Sequence, residues 1–343
     1  MAADGQILHK SSDFLAGAFL ELNPIEYPIT SIAGGQNGGF VIKPQKNYTM
    51  TRHSNPAQTT SNNKPDNSSP TYGSTAFTSG SQCMQIYDEG ANVTFAGMGD
   101  QNLSRTLGWQ DQNNISNQSV ITDLARGKAD AVKRIKGYVE YQALYGTYND
   151  PAEGTTAHYS QRGLLNDPSL VIGTANGAVI AAGTLGTLGT LTNQKLWDHL
   201  SVMHGNKLWG EEPLIACGGA QSIIALNNMF MTEYNFGKNG ENVEVSGVKM
   251  KAFNTPLGDV FLKLSRDPAD ASHLWFLNPQ YLEMVARPVP GMGVLFERDT
   301  SVSDKSQVAQ SIYGELGLNY VDALAHSVIK GVGTAIIGGQ NLS

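Results

Sequence analysis

The sequence predicts an α+β protein in which a compact helix-and-strand unit is joined to long extended parts, and three observations predict it. At 343 residues the chain is about twice the length of an ordinary domain. Residues 119–145 carry helical periodicity over an unusual length, and residues 54–82 form a polar stretch framed by β-forming runs.

Residues 1–34 hold a short apolar patch (Phe14, Leu15, Phe19, Leu20, Leu22), followed by Pro24 and Pro28, which block a long helix. They read as an extended arm lying against its own body or a neighbouring copy. Residues 40–52 (FVIKPQKNYTMTR), 84–87 and 93–95 are rich in β-formers, with Pro44 placing the first at a sheet edge. Between them, residues 54–82 are dominated by Asn, Ser, Thr, Gly and Pro, with Tyr72 and Phe77 the only aromatics. Such a segment has too little apolar surface for a core of its own, and so long a loop is functional or disordered, so a projecting β-arm is predicted.

Residues 119–145 place Ile121, Leu124, Ala125, Val132, Ile135, Val139 and Ala143 near helical spacing, and Gly146 ends the run. At 1.5 Å per residue the rod is roughly 40 Å long. Lys128, Lys133, Arg134 and Lys136 read as its solvated face, and Tyr138, Tyr141, Tyr145 and Tyr148 as a packing stripe. The GTLGTLGTL run at 183–191 reads as a connection. Beyond it come a helix at 193–203, a strand at 214–217, a helix at 221–231, and a hairpin of 248–253 with 260–264 across Thr-Pro-Leu-Gly-Asp. A strand at 275–277 completes a second α+β subdomain, and residues 311–333 read as late strands returning to the first.

Charged residues are only 15% of the chain against about 25% in an average protein, and the net charge is −7. Neither phosphate backbones nor anionic membranes are attracted by that balance, which excludes an ordinary DNA-binding domain. No apolar run reaches the ~18 residues of a membrane span, and the N-terminal residues do not read as a secretory signal. The seven Asn-x-Ser/Thr sequons therefore follow from composition.

No enzyme constellation emerges. There is no phosphate-binding G-x-x-x-x-G-K-[ST] loop, no G-x-S-x-G and no HExxH. Cys83 and Cys217 are too few for a disulfide framework, and Cys217 reads as a buried strand-end thiol, the nucleophile reading requiring activation by the following helix. His199 and His204 lie at i, i+5 on different helix faces, and Asp259, Asp267 and Asp270 lack calcium-loop spacing. No catalytic, cofactor or metal residue is expected.

The order of parts, together with local wording, resembles the major capsid proteins of tailed phages, with the Hong Kong 97-type fold. The wording is Met-Gln-Ile-Tyr then Val-Thr-Phe at 84–95, and Asp-Leu-Ala-Arg to Val-Glu-Tyr-Gln-Ala-Leu-Tyr-Gly at 123–146. It continues with Arg-Gly-Leu at 162–164, Lys-Met-Lys-Ala-Phe-Asn-Thr-Pro-Leu-Gly-Asp at 249–259, and Glu-Leu-Gly-Leu to Ala-His-Ser-Val-Ile-Lys-Gly at 315–331. The resemblance implies an N-terminal arm at 1–34, an extended β-loop at 35–100, and a peripheral domain at 101–189 and 301–343 with a spine helix at 119–146. It implies an axial domain at 190–300. Implied partners are further copies in hexamers and pentamers of an icosahedral shell, with scaffolding, portal and decoration proteins, and double-stranded DNA enclosed without sequence-specific binding. Assembly in the host cytoplasm, a place in the virion and no enzyme activity follow from the same resemblance. No crosslinking residue is carried over, because no local motif matches. An encapsulin-type compartment shell, a surface glycan- or receptor-binding protein, and a hydrolase working through Cys217 or His199 stand as alternatives.

Overall fold

A computed structural model of the chain describes residues 19, 27–36, 39–53, 77–94, 115–151, 157–167, 179–181, 193–205, 213–233, 242–245, 248–255, 257–265, 273–301, 305–322, 325–330 and 332. Two sheets, a separate ribbon and one long helix organise them. The first sheet is built around β13 (Gln307–Asn319), whose thirteen residues reach every other strand of the sheet but one. Along one edge of β13 runs β4 (Gln85–Thr94), antiparallel from the Gln307–Thr94 pair to Leu316–Gln85. Along the other edge lie β12 (Leu295–Asp299) and then β11 (Glu283–Arg287), also antiparallel. The two-residue strand β1 (Val41–Ile42) adds to β11 in parallel at the sheet edge, next to Pro44, where a missing donor costs nothing.

The second sheet has the order β5 (Val179–Ala181), β14 (Ser327–Lys330), β10 (Leu274–Leu277), β6 (Leu214–Gly218), β9 (Gly258–Leu264), β8 (Val248–Thr255), β7 (Asn242–Val245). Its central strands LIACG and LWFL are apolar almost throughout, as strands covered on both faces are. On one face, Leu214, Ala216, Leu274, Phe276 and Ile329 pack with Leu196, Leu200, Met203, Ala225 and Leu226 of helices Asn193–Gly205 and Ala220–Glu233. On the other, Cys217, Trp275, Leu277 and Val328 share a core with Ile135, Val139, Met284, Ile312 and Leu316. The two sheets therefore meet in one continuous apolar core.

The long helix runs unbroken over Ile115–Tyr145, four residues earlier than its periodicity predicts, and packs on β4 and β13. Val132, Ile135, Val139 and Ala143 are buried as expected. The ribbon consists of β2 (Asn47–His53) and β3 (Phe77–Cys83), paired in register from Asn47–Cys83 to His53–Phe77 and, among the described residues, with no other strand.

Five readings of the sequence are corrected. Residues 28–34 are not part of an extended arm: Pro28 begins a helix, Pro28–Gln36, with Ile29, Ile32 and Ala33 buried. Proline at the first helical position lacks only an N–H that would be unpaired there anyway, so it starts this helix instead of preventing one. The runs predicted at 84–87 and 93–95 are not separate strands: residues 85–87 and 93–94 are the two ends of β4, in which the intervening polar residues fit an alternating, half-buried strand, and Phe95 lies outside the described residues. The late strands do not all return to the first sheet, since β14 pairs with β10 and β5 in the second.

The basic residues of the long helix are not one solvated face. Lys136 is fully buried, its Nζ donating to Ser31 Oγ at 2.7 Å, while Lys128 pairs with Glu297 at 2.9 Å and Arg134 with Glu89 at 3.0 Å. A buried lysine needs partners, and the helix at 28–36 supplies one; burial nevertheless pulls the Lys136 ammonium down to about 8. The tyrosine stripe divides too: Tyr138 and Tyr141 are exposed, and Tyr145 packs edge-on against Trp275 at 5.8 Å. Seven residues bring a helix back to within about 20° of the same side, so Tyr145 parts from Tyr138 through its neighbour Trp275 at the helix end and not through the helical period. The runs at 54–76 and 183–191 lie outside the described residues.

The chain passes between the sheets twice at one place, from β10 to β11 at Asn278 and from β13 to β14 over 320–326. Buried His326 holds the two crossings together, its Nδ1 accepting the Asn278 N–H at 3.2 Å and its Nε2 donating to the Tyr320 carbonyl at 3.2 Å. Both bonds together need the neutral ring protonated on Nε2. Val321 beside it has a φ of 33°, a left-handed conformation that is costly for a β-branched residue.

Candidate functional site

The long helix ends where the ribbon begins, and the junction between them is the most densely tied part of the described chain. Gly146 closes the helix, and Gly163 returns to it, donating its N–H to the Gly146 carbonyl at 2.7 Å. A Cβ on Gly146 would sit 2.3 Å from the Gln161 carbonyl oxygen, and one on Gly163 would sit 2.3 Å from the Gly146 nitrogen. No side chain fits at either position, which is the physical content of Leu-x-Gly at 144–146 and Arg-Gly-Leu at 162–164. Asn166 caps the end by donating Nδ2 to the Tyr145 and Gly146 carbonyls, both at 2.9 Å, so two of the orphan helix acceptors are satisfied. Asn149 and Ser160 exchange two backbone hydrogen bonds of 3.0 Å and hold the intervening loop by its ends.

Two glutamine side chains then act as substitute strands. Gln161 accepts from the Leu318 N–H at 3.1 Å and donates to the Leu318 carbonyl, fastening the turn to the end of β13. Gln82, at the end of β3 and fully buried, accepts from the Arg162 N–H at 2.7 Å and donates to the Arg162 carbonyl at 2.8 Å. Next to it the Cys83 thiol donates to the Ser160 carbonyl at 3.0 Å, and burial, with Asp150 nearby, pushes that thiol up to about 11. On the neighbouring strand, Asn47 Nδ2 donates to Asp150 Oδ2 at 2.8 Å. Lys46 lies 4.7 Å from the Tyr159 ring centroid and 3.8 Å from Glu315 Oε1, a nearly buried carboxylate that also takes Arg287 and the Tyr313 hydroxyl at 3.1 Å each. Residues 159–163 thus reach β3, β13 and the helix end, and Asp150, across the Asn149–Ser160 pair, reaches β2.

The arrangement offers no reactive group: every polar atom named is engaged in holding chain to chain, and the thiol is protonated. A sequence-family model described as SU10 major capsid protein matches residues 6–333. The chain belongs to that family. It is a phage major capsid protein and a structural component of the virion. No curated protein matches it in sequence. Among solved structures, the cyanophage A-1(L) capsid asymmetric unit is similar at a TM-score of 0.54 and 13% identity, over 90% of this chain and 93% of that one. The encapsulin of the holo-SrpI complex of Synechococcus elongatus is similar at 0.49 and 14% identity over 88% of each chain. The capsid of a native GTA particle stands at 0.49 and 11%, over 92% of this chain and 90% of that one. The mixed helix-and-sheet fold matches phage capsid structures, as the resemblance implied.

In this capsid protein the residues weighed for chemistry are scattered. Cys217 is buried in β6 opposite Trp275, its thiol pushed far up by burial. His199 is buried with Nε2 2.7 Å from Ser327 Oγ and is held down to about 3 by burial, while His204 is exposed on another face of the same helix. Asp259 is exposed beside the hairpin turn, and Asp267 and Asp270 lie outside the described residues. Among the described residues there is no cluster of three metal-ligating side chains and no helix long and apolar enough to cross a membrane. Gln82 and Gln161 escaped the sequence reading, since a glutamine carries no periodicity and Gln82 closes a low-complexity stretch. The neighbouring Arg-Gly-Leu was the available signal.

Proposed function

We propose that the capsid protein builds hexamers and pentamers that close into an icosahedral shell around double-stranded DNA, and that it does so without catalysis. The long helix serves as the spine of a peripheral domain formed with the first sheet. The second sheet forms the axial domain. Because β1 and β4, at the two ends of 35–100, pair in the first sheet, the extended loop is assigned to 47–83 with β2 and β3 as its shaft, and residues before the helix at 28–36 form the arm. Because β11 and β12 pair with β13, the axial share of 190–300 is assigned to residues up to 277, joined by β14. Scaffolding, portal and decoration proteins are the further partners, and assembly takes place in the host cytoplasm.

The observation that carries this reading is the ribbon, whose strands pair only with each other among the described residues. The base of the ribbon is held by its own subunit through Met50 and Gln82, and a two-stranded ribbon, marginal by itself in water, gains the rest of its stability against another surface, which a closed shell supplies from neighbouring copies. Low charge suits the same role, since many identical subunits must pack without strong mutual repulsion. Negative-stain electron microscopy of the protein, expressed with any required scaffold, should show closed shells or five- and six-membered rings. Particles from infected cells should contain nuclease-protected DNA. Monomers and dimers alone under all salt and pH conditions, with scaffold present, would overturn the reading, and shells filled with a cargo enzyme instead of DNA would point to the encapsulin-type alternative.

A further inference from the structure

We propose that the junction formed by Asp150 and residues 159–163, through Gln82, sets the direction of the β2–β3 ribbon, so that ribbon and long helix turn as one rigid body. The assembly meaning of this inference rests on the reading of the ribbon as an arm that reaches a neighbouring copy; the mechanical claim rests on the subunit alone.

Backbone continuity by itself would let the ribbon swing. Its strands leave the body at Lys46 and Met84, two adjacent points joined by the Met84 N–H to Lys46 carbonyl bond of 2.9 Å, and two adjacent points define an axis, not a direction. The ties to the junction lie off that axis and engage both strands. From β3 come the paired Gln82 bonds to Arg162 and the Cys83 thiol on Ser160; from β2 comes Asn47 on Asp150. Gln82 is fully buried, so water cannot replace its bonds when they break, and the Arg162 N–H and carbonyl would be left without partners. The receiving turn is itself immobile, because Gly163 touches Gly146 backbone to backbone and Gln161 is fastened to β13. A rotation of the ribbon therefore has to carry the end of the helix with it. Gln82 is thus a positioning residue for assembly.

The test reads the ribbon's direction in the full-length, unassembled subunit by electron-electron spin distances. Labels go on Ser79→Cys in β3 and Ala129→Cys on the helix, both exposed, with the two native thiols buried and unlabelled. At about 3.3 Å per residue the Ser79 label, five residues from Met84, stands ~17 Å from the root, so a swing of about 30° displaces it by ~9 Å. A second pair, Ala129→Cys with Lys305→Cys, reports the body. The expected result is a single narrow Ser79–Ala129 distance, broadened or shifted by several ångströms in Gln82→Ala while the Ala129–Lys305 distance stays put. A purely structural role for Gln82 would lower stability and leave the Ser79 distance narrow, and that outcome overturns the proposal, as does a broad distance in the unsubstituted junction. Should Gln82→Ala lose the body distance through misfolding, Gln82→Met, which fills the same space without the two bonds to Arg162, decides: broadening supports the proposal, and an unchanged narrow distance overturns it. Because no shell is needed, failure here is distinct from failure to assemble, which microscopy of the same variants reads separately.

Discussion

Gly146 and Gly163 show how a single missing carbon sets a junction. A methyl group on either would overlap backbone atoms at 2.3 Å, and backbone cannot rotate aside as a side-chain tip does. Gly146→Ala or Gly163→Ala should therefore cost at least about 3 kcal/mol, at the upper end of overpacking effects, and lower the denaturant midpoint accordingly. Gly90→Ala is the control: its Cβ would come no nearer than 3.6 Å to any atom outside its chain neighbours, and its midpoint should move by less than about 1 kcal/mol. The buried histidines predict a pH response. Burial holds His199 to about 3 and His326 to about 4, from an ordinary 6.5. The unfolded chain then gains protons near pH 6.5 while the folded chain does not, so stability is highest above that value and falls as pH drops toward the folded values. Each ring adds a slope of at most about 1.4 kcal/mol per pH unit. Denaturation midpoints between pH 7.5 and 5 should show this fall, and His326→Gln should remove about half of the histidine contribution.

At the scale of elements, the long helix is held by one apolar side and by charges that other elements neutralise. Ile135 is fully buried between the sheets, and a carboxylate there has no partner to offset its desolvation. Ile135→Asp should yield no folded subunit by circular dichroism, whereas Ala129→Asp on the exposed face should fold with native midpoint; a folded Ile135→Asp subunit would refute the face assignment. The extended loop behaves oppositely. Its polar residues 54–76 bring almost no apolar area, so at about 25 cal/mol per Å² they cannot offset their own ordering entropy within one subunit. Replacing 54–76 with a short Gly-Ser turn should leave the subunit's melting temperature nearly unchanged, since closure entropy varies slowly with length, and should weaken or abolish shells. Unfolding of the subunit, or shells as resistant as the full-length ones, would sink that idea.

At the scale of the molecule, the shared core decides cooperativity. Trp275, Leu277 and Val328 of the second sheet pack in the same cluster as Ile135, Ile312 and Leu316, and His326 joins the two chain crossings between the sheets. Neither half keeps a complete core without the other. Calorimetry of the unassembled subunit should accordingly show one transition, with calorimetric and van't Hoff enthalpies equal; two resolved transitions would mean the halves fold separately.

Local pattern was enough wherever the chain's own neighbours in sequence decide the outcome. The periodicity at 119–145, the alternation of helices and strands from 193 to 277 and the Thr-Pro-Leu-Gly-Asp hairpin all come from interactions within a few residues, and the motif order carried the family. Partners distant in sequence decided the rest. Lys136 reads as a solvated cation until Ser31 arrives beside it, and Pro28 reads as a breaker until its helix finds a surface to cover. Strand β14 follows β13 closely in sequence yet pairs in the other sheet, antiparallel to β10 and parallel to β5. Gln82 and Arg162 stand eighty residues apart, and only folding brings an amide side chain to a peptide group that lacks a strand. Sequence settles what each segment prefers by itself; burial and hydrogen-bond satisfaction between distant segments are properties of the folded whole, and they chose the junction.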